Sequence, residues 1–347
     1  MNNAKFILYG EKVKEQVKKL LDEGLKISYS YKTNKEVGNV LQEICPEVDF
    51  SIHAEEEINE IKDKNKIWFF TQAESEEQLR EILDKGIKNF VIDNEIDLKR
   101  ILNSVKDEKI KLSLRMKFQE HRVGTGKYFV YGMSSKKISE IINNIRTNSN
   151  IDKLGIHLHR KTQNTSEWGI KEEIKDSLSE EILDKLDFIN IGGGLPSTYI
   201  SYTSKVLDYI FSKLNETKNF LDKHKIEMYV EPGRFIAAPC INLETEIIQI
   251  YDKNIIINTT IYNCALDTVL TNSKMLVEGE LNEEGEGDYY LIKGNSPTRD
   301  DIFRYKVKLK EPKIGDKITF LNAGAYNYTT DFFGYKKLET KIIKNVN

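Results

Sequence analysis

The sequence predicts an α/β fold, a (β/α)8 barrel of the TIM type with a C-terminal β domain. Between residues 26 and 234 of the 347-residue chain, short β-branched and aromatic runs alternate with longer amphipathic, charged stretches. There are eight such runs, and eight βα units over about 210 residues match this barrel in number and size. After residue 240 the helical periodicity fades, and alternating apolar and polar runs replace it.

The eight candidate strands are short and are separated by helix-like segments. The strands cover residues 26–31, 48–53, 66–72, 89–93, 111–117, 153–160, 188–192 and 227–231. Segments 55–64, 75–86, 95–107 and 135–145 between them carry apolar residues at the i, i+3, i+4 and i+7 spacing of an amphipathic helix. A doubly wound open sheet is the alternative, but it usually has fewer strands and a GxGxxG fingerprint, which this chain lacks.

The segment after residue 240 has the pattern of a smaller β domain. Its alternating runs lie at 243–252, 255–263, 288–294, 305–310, 316–322 and 337–343, with turn-forming clusters such as NEEGEGD between them. The opening run KFILYG is also typical of a strand, and an amphipathic helix over residues 12–23 follows it. We therefore expect residues 11–239 to form the barrel and residues 1–10 and 240–347 to form the β domain.

The composition excludes several classes of protein. Hydrophobic residues make up 39% of the chain, which is enough for a large core and too many for a disordered chain. A net charge of −3 offers no electrostatic reason to expect nucleic acid or an anionic membrane as a partner. We find no signal peptide and no apolar run near the ~20 residues of a membrane span. Cys45, Cys240 and Cys264 form no CxxC pair, so a reducing cytoplasm is expected.

Two strand ends carry residues suited to a covalent or planar ligand, because barrel chemistry lies at the carboxyl ends of strands. The first strand ends at Lys32, whose amine would become nucleophilic if burial lowered its pKa; an ordinary surface lysine is the alternative. The sixth ends in His157 and His159, which face the same side of a strand. They could stack on a planar cofactor, pack in the core, or bind a metal, although no nearby carboxylate suggests a third ligand.

The last two strands end in residues suited to an anion and a cation. Gly193 and Gly194 belong to a run of three glycines that leaves backbone N–H groups open to a phosphate, or forms only a tight turn. Phosphate sites favour the loops after these strands. Glu231 ends the eighth strand and would point into the mouth, and Arg234 offers a forked donor for phosphate. A salt bridge between Glu231 and Arg234 is the alternative.

Together these strand ends supply a lysine amine, a ring for stacking, a phosphate cradle and a carboxylate. Pyridoxal phosphate needs this combination. Its aldehyde forms a Schiff base with a lysine, its ring packs against a flat side chain, and its pyridine nitrogen needs an acidic partner to stay protonated. The motifs therefore indicate a pyridoxal phosphate site rather than a metal site.

The same motifs resemble those of a known family, the pyridoxal-phosphate-dependent amino-acid decarboxylases of the alanine-racemase fold, which include ornithine and diaminopimelate decarboxylases. YSYKTN at 29–34 is similar to their YAVKAN motif, and GIHLHRKTQ at 155–163 to their HxHxGS segment. IGGGLP resembles their glycine-rich loop, VEPGRFIAA at 230–238 their EPGR motif, and NAGAYNYTTDFFGY at 322–335 their GAY…FNG segment. The motifs occur in the family's order and cover most of the chain.

The resemblance implies a role for each matching residue. Lys32 would hold the cofactor as a Schiff base, His159 would stack on its ring, and Glu231 would bond its pyridine nitrogen. The other implied cofactor contacts are Asp49 and Arg115 at the barrel mouth and, around the phosphate, Thr162, Gly193, Gly194, Gly233, Arg234 and Tyr326. The family usually forms a homodimer in which the partner's β domain helps to complete each active site, so the resemblance implies a homodimer.

The chain departs from the family pattern where the substrate and the product would lie. The segment whose cysteine takes part in protonating the product reads GNSPTRDD at 294–301, so another donor or solvent must supply that proton, or the reaction differs. Where diaminopimelate enzymes use an arginine for a distal carboxylate, this chain has Asp267, which suits a distal amine. Arg299 argues for an acidic group instead, and Asp300 and Asp301 add further charge to the candidate substrate site.

These observations favour decarboxylation of a basic amino acid such as ornithine or lysine. A racemase or epimerase on the same fold is the second hypothesis, since it needs a base on each face of the α-carbon and the chain has 17 tyrosines. The third is a non-catalytic relative that binds a partner protein. Such proteins tend to lose the lysine or the acid that this chain keeps as Lys32 and Glu231.

Overall fold

The computed structural model describes residues 4–118, 131–201, 205–327, 330 and 334–344. The chain begins with β1 (Lys5–Tyr9) and then forms a closed barrel of eight parallel strands, which confirms the predicted fold class. The barrel strands are β2 (Lys26–Ser30), β3 (Asp49–Ile52), β4 (Ile67–Phe70), β5 (Asn89–Ile92), β6 (Ile110–Arg115), β7 (Ile151–His157), β8 (Phe188–Asn190) and β9 (Glu227–Val230). Strand β9 pairs with β8 and with β2, which closes the barrel.

Helices pack around the barrel between these strands. They are α1 (Gly10–Leu21), α2 (Lys35–Ile44), α3 (Glu76–Asp84), α4 (Glu95–Ser104), α5 (Ser135–Ile145), α6 (Ile170–Ser177), α7 (Glu180–Leu183), α8 (Leu207–Lys223) and α9 (Arg234–Cys240). Helix α3 begins with a capping box between Ser75 and Gln78, which satisfies amide groups at its first turn. The predicted helix at 55–64 is instead a 3-10 helix (Glu55–Glu60). Just after it, the amide of Ile61 donates to the carbonyl of Ile58, three residues back, which is the hydrogen bond of a 3-10 turn.

The C-terminal part of the chain forms a second, mostly antiparallel sheet. Its strands are β10 (Ile241–Tyr251), β11 (Asn254–Ile257), β12 (Leu276–Val277), β13 (Asp288–Lys293), β14 (Ile302–Leu309), β15 (Lys317–Leu321) and β16 (Glu339–Ile343). The strand order is β12-β15-β10-β11-β13-β14. Strand β1 lies outside the barrel and pairs with β10 and β16.

One predicted strand of this sheet ends earlier than expected. The run 255–263 is a strand only to Ile257, and two short helices follow, α10 (Ile261–Cys264) and α11 (Leu266–Thr271). The hydroxyl of Thr260 accepts the amide of Tyr262 and so caps α10. The apolar run at 255–263 therefore did not reveal where the strand ends and the capped helix begins.

The barrel interior is filled at one end and open at the other. Trp68, Phe188 and Tyr229 pack edge to face, with ring centroids 5.1 to 5.9 Å apart. At the carboxyl ends, the loop after β15 is tied to the barrel mouth. The amide of Tyr326 donates to the carbonyl of Thr33, at 3.0 Å. This bond places Tyr326, from the loop that follows β15, beside the end of β2.

Among the described residues, no helix is long and apolar enough to cross a membrane. Cys45, Cys240 and Cys264 are buried and form no disulfide.

Candidate active site

A cavity of about 390 Å³ opens at the carboxyl ends of the barrel strands. This volume falls in the range of pockets for small ligands. The structure brings most of the predicted site residues to its wall, namely Lys32, Arg115, His159, Thr162, Gly193, Gly194, Glu231, Gly233, Arg234 and Tyr326.

Glu231 lies directly after β9 and is 6% exposed. Its Oε1 accepts hydrogen bonds from Ser51 Oγ at 2.8 Å and Asn190 Nδ2 at 2.9 Å, and its Oε2 is 3.0 Å from His157 Nε2. Burial by itself raises the pKa of this carboxyl, but His157 and the other donors lower the pKa to about 2. Glu231 is therefore a carboxylate at neutral pH. Its partner at Oε2 is His157, not the Arg234 of the salt-bridge alternative.

Lys32 lies in the 3-10 turn (Tyr31–Thr33) after β2, and its side chain opens onto the cavity. Its Nζ is 3.4 Å from Nε2 of His53. Burial within the barrel mouth lowers the pKa of the amine; Glu231 opposes this effect and Arg115 adds to it. The net lowering increases the fraction of neutral, nucleophilic amine.

His157 and His159 have nearly parallel rings, with centroids 6.2 Å apart and planes 15° apart. Strand β7 ends at His157, three residues before the predicted end, so His159 lies just beyond the strand. Although His159 is exposed at the open cavity, desolvation by the surrounding barrel mouth lowers the pKa of its ring to about 3, and the neutral ring faces the cavity. Ligand atoms of His157, His159 and Glu231 lie within 4.8 Å of one another. The fold thus supplies a nearby carboxylate that the local sequence does not contain.

Arg234, the first residue of α9, is held by several partners. Its Nε donates to Thr162 Oγ1 at 3.3 Å, and its Nη1 donates to the hydroxyl of Tyr199 at 3.0 Å. The guanidinium lies over the rings of Tyr199 and Tyr326, 5.3 and 5.1 Å from their centroids. These contacts fix the direction in which Arg234 can meet an anion.

The glycines beside Arg234 lie on the cavity wall, where they present backbone and no side chain. Gly194 has φ +108°, a conformation that favours glycine. A Cβ on Gly193 would come within 2.9 Å of the backbone oxygen of Glu231, and a Cβ on Gly233 would collide with Thr33 Oγ1. Close packing therefore requires glycine at these positions, and a ligand at this side of the cavity would meet backbone groups.

Arg115 ends β6 and pairs with Asp93, with 3.6 Å between Nη1 and Oδ1. Asp93 also accepts the amide of Gly132 at 2.9 Å. The Arg115 guanidinium lies 5.0 Å from the ring centroid of Tyr131. One cation and one acid therefore share the cavity wall at the ends of β5 and β6.

The prediction that Asp49 lies at the barrel mouth is wrong. Asp49 is the first residue of β3, so it lies at the amino end of the strand. Its Oδ2 accepts the indole N–H of Trp68 at 3.2 Å, within the aromatic layer that fills the barrel. Burial raises the pKa of Asp49 to about 6, and Lys111 is among the cations that oppose this effect. The motif VDFS placed Asp49 correctly in a strand but at the wrong end of it.

Asp267 is not positioned to meet a substrate amine. It is 1% exposed, and both of its oxygens bind Arg234, at 2.5 Å from Nη1 and 2.9 Å from Nη2. Thr271 Oγ1 also donates to Oδ1, at 3.0 Å. The expectation that Asp267 binds substrate is corrected, because its charge is already neutralised inside the protein.

The other three predicted substrate residues lie outside the cavity wall of this chain. Asp301 is fully buried and accepts the amides of Ile261 and Ser296, so it holds loops of the β domain together. Its assignment to the substrate is corrected for that reason. Arg299 and Asp300 are exposed in the loop between β13 and β14.

Several cavity or supporting residues escaped the sequence analysis, among them His53, Phe70, Asp93, Ser51 and Asn190. Ser51 and Asn190 are polar residues inside otherwise apolar strands, which is a usable sign of an inward-facing group in a barrel. His53 and Asp93 directly follow β3 and β5, where chemistry is expected.

Comparison with known proteins identifies the family. The family model described as "Pyridoxal-dependent decarboxylase, pyridoxal binding domain" matches residues 11–238. The chain belongs to this family. Its cofactor is pyridoxal phosphate.

Curated relatives are distant and match in part. A carboxynorspermidine/carboxyspermidine decarboxylase of Campylobacter jejuni is 24% identical over 211 residues, which cover 56% of this chain and 53% of the relative. A second one, from Herminiimonas arsenicoxydans, is 26% identical over 42% of this chain and 38% of the relative. The chain thus spans about half or less of the length of these two proteins. A diaminopimelate decarboxylase of Methanothermobacter thermautotrophicus is 23% identical over 77% of this chain and 66% of the relative.

Solved structures share the whole fold. Lysine decarboxylase from Selenomonas ruminantium superimposes with a TM-score of 0.83 and 17% identity, covering 100% of this chain and 94% of that one. A lysine/ornithine decarboxylase from Vibrio vulnificus, complexed with cadaverine, has a TM-score of 0.79 and 19% identity over 99% and 95%. At this identity the likeness establishes the fold.

The cavity wall fits pyridoxal phosphate. A lysine amine of lowered pKa and a buried carboxylate of low pKa both face the cavity. Gly193, Gly194 and Gly233 bring backbone without side chains to the wall beside Arg234, which suits a phosphate. The lysine amine, the carboxylate and the backbone beside Arg234 therefore match the aldehyde, the ring nitrogen and the phosphate of this cofactor.

Proposed function

We propose that this family member removes CO2 from an amino acid that carries a second, cationic amine. The observation that carries the proposal is the placement of Lys32 and Glu231 on one cavity. They follow β2 and β9, which are neighbours in the closed barrel. One supplies a partly desolvated amine and the other a buried carboxylate.

Pyridoxal phosphate, when bound, supplies a ring that withdraws the electron pair left by departing CO2. Glu231 holds a proton on the ring nitrogen, because its own pKa is low and three neighbours fix its carboxylate. Lys32 attaches the cofactor through its amine. His159 presents a neutral ring to the cavity and packs against the cofactor.

The phosphate end is held by backbone and side chains together. Gly193, Gly194 and Gly233 present backbone without side chains, and Thr162 and Tyr326 offer hydroxyl groups on the same wall. Arg234 adds a guanidinium whose direction Asp267 fixes. Because Asp267 cancels much of that charge, most of the selectivity for phosphate comes from the shape and number of donors.

A basic substrate is supported by the names of the relatives, which act on diaminopimelate, carboxynorspermidine, lysine or ornithine. Asp93 adds an acid on the cavity wall, although Arg115 already pairs with it. Asp267 does not contribute to this preference, because both of its oxygens bind Arg234.

The assay compares the wild type with Lys32→Ala and with Lys35→Ala as a matched control, since Lys35 pairs with Glu60 on the surface. L- and D-ornithine, lysine, arginine, diaminopimelate, glutamate and carboxynorspermidine are supplied with pyridoxal phosphate, and CO2 is measured. We expect Lys32→Ala to lose turnover and the bound-cofactor absorbance, because no other cavity residue offers an amine among those described. Loss of optical rotation without CO2 would show a racemase, and CO2 from glutamate alone would contradict a basic substrate.

We also propose a homodimer with shared active sites. The support is the exposure of Arg299 and Asp300 in the loop between β13 and β14, away from the cavity of their own chain. Mixing inactive Lys32→Ala subunits with subunits changed at both loop positions tests this, because a shared site restores activity in mixed dimers. A monomer in light scattering, or no recovery on mixing, contradicts shared sites.

Two broader proposals follow from the organisation of the chain. Residues 11–239 form the cofactor-binding barrel, and residues 1–10 and 240–347 form the β domain. The pairing of β1 with β10 and β16 supports this division, and limited proteolysis tests it. The protein works in the cytoplasm, a proposal supported by its three unpaired thiols and tested by cell fractionation.

A further inference from the structure

His53 directly follows β3 and opens onto the cavity beside Lys32. The distance from its Nε2 to Lys32 Nζ is 3.4 Å. Its ring stacks on Phe70, with centroids 4.6 Å apart and planes 17° apart. Its amide donates to Glu57 Oε2 at 3.0 Å. The ring plane and the backbone are therefore both fixed, and Nε2 is directed at the lysine.

His53 is neutral at neutral pH. Although its side chain is exposed at the cavity, desolvation by the barrel mouth lowers the pKa of its ring to about 4; Lys32, His157 and Arg115 lower this pKa further, and Glu231 raises it. A neutral imidazole carries its proton on one nitrogen and a lone pair on the other. For the amine of Lys32 to donate to this ring, the lone pair must be at Nε2 and the proton at Nδ1.

We propose that His53 is a positioning residue for Lys32, whose Nζ donates to His53 Nε2 and so keeps a proton inside the cavity. The inference rests on the proposed function. Loss of CO2 leaves an electron pair on a carbon that must take up a proton. When the ammonium form of Lys32 gives a proton, an N–H bond breaks and its electrons become the lone pair of the neutral amine, while the C–H bond forms with the pair on carbon. His53 then accepts no charge and needs no co-reactant.

Two substitutions separate this role from simple packing. His53→Phe keeps a ring for Phe70 but removes the acceptor, whereas His53→Gln removes the ring but keeps an acceptor oxygen. Without this acceptor the ammonium form of Lys32 is less stable, so we expect its pKa to fall. A shift of about one unit changes the neutral fraction tenfold at fixed pH. His53→Leu is a second variant without an acceptor, in case the Phe protein does not fold.

The measurement is the rate at which cofactor-free protein gains absorbance on mixing with pyridoxal phosphate, followed from pH 6 to 10. Only the neutral amine attacks the aldehyde, so the midpoint of the profile reports Lys32. We expect the midpoint to fall by about one pH unit in the Phe or Leu variant and to stay near that of the wild type in the Gln variant. Turnover should fall about tenfold in the same variants.

The inference would be overturned if the midpoint of His53→Phe equalled that of the wild type, or if the midpoint shifted only in His53→Gln. Either result would mean that the ring of His53 serves for stacking and not as an acceptor. A different result would contradict the proposed function itself: the wild-type protein would take up no cofactor, or would release no CO2 from any amino acid tested.

Discussion

Replacing Asp267 by asparagine removes the charge that neutralises Arg234 in the interior of the protein. The two side chains are 1% and 3% exposed, and the pair is bidentate. The substitution keeps the size of the side chain and one acceptor oxygen. It leaves the guanidinium, whose pKa the aspartate raises against the effect of burial, without a counter-charge.

Breaking one partner of a buried ion pair typically costs about 3–5 kcal/mol. The retained amide oxygen can still accept one hydrogen bond, so the lower limit applies. We expect Asp267→Asn to lower the free energy of unfolding of the cofactor-free protein by about 3 kcal/mol. The same change in an exposed pair provides the control. Asp22 pairs with Lys18 at 2.8 Å, with side chains 60% and 72% exposed, and Asp22→Asn should cost less than about 0.5 kcal/mol.

Urea unfolding followed by circular dichroism measures both variants at constant pH and ionic strength. Inorganic phosphate gives a second readout. An anion beside Arg234 replaces part of the lost charge, so added phosphate should stabilise Asp267→Asn more than the wild type. If Asp267→Asn unfolds like Asp22→Asn and raises the KM for a basic amino acid, Asp267 faces the substrate. The reasoning from the buried pair would then be refuted.

Two further predictions concern the carboxylates at the two ends of the barrel. Because the pKa of Glu231 is about 2 in the folded protein and 4.5 ordinarily, its charge stabilises the fold fully above about pH 4.5. The difference in unfolding free energy between wild type and Glu231→Gln should therefore shrink as the pH falls from 4.5 towards 2, and a constant difference contradicts the low pKa. Asp49 lies at the amino ends of the strands, so Asp49→Asn should keep turnover within about twofold of the wild-type value. A larger loss of turnover would show that Asp49 belongs to the active site. Since the pKa of Asp49 is raised to about 6, the variant should be at least as stable as the wild type at pH 8.

The barrel could be predicted because each strand and its helix are local in sequence. Short β-branched runs alternate with segments of helical hydrophobic spacing. This pattern places strands such as β5 and helices such as α4 within a few residues of their observed bounds. Lys32, His159 and Glu231 could be selected because they follow strands, and parallel strands bring their carboxyl ends to one face. The 3-10 helix at Glu55–Glu60 and the capped helix α10 were missed, because hydroxyl and main-chain hydrogen bonds decided them rather than hydrophobic period.

The acids were the least predictable part of the site. Asp49, Asp267 and Asp301 each have a partner far away in the sequence or at an unexpected end of a strand. A carboxyl group can bind substrate, pair with a buried cation or hold a loop amide, and its type does not distinguish these roles. His53 was missed for the converse reason, since its importance depends on its distance from Lys32.

The amino-acid sequence by itself determined the order of strands and helices, the closed barrel that follows from that order, and the set of chemical groups at the strand ends. These depend on spacing along the chain, which hydrophobic burial and strand geometry convert directly into structure. Only the tertiary structure decided which groups share the cavity, which charges are already neutralised, and which proton each group holds. Those properties depend on distance and desolvation between residues far apart in the sequence, such as Ser51 and Glu231, which are 180 positions apart.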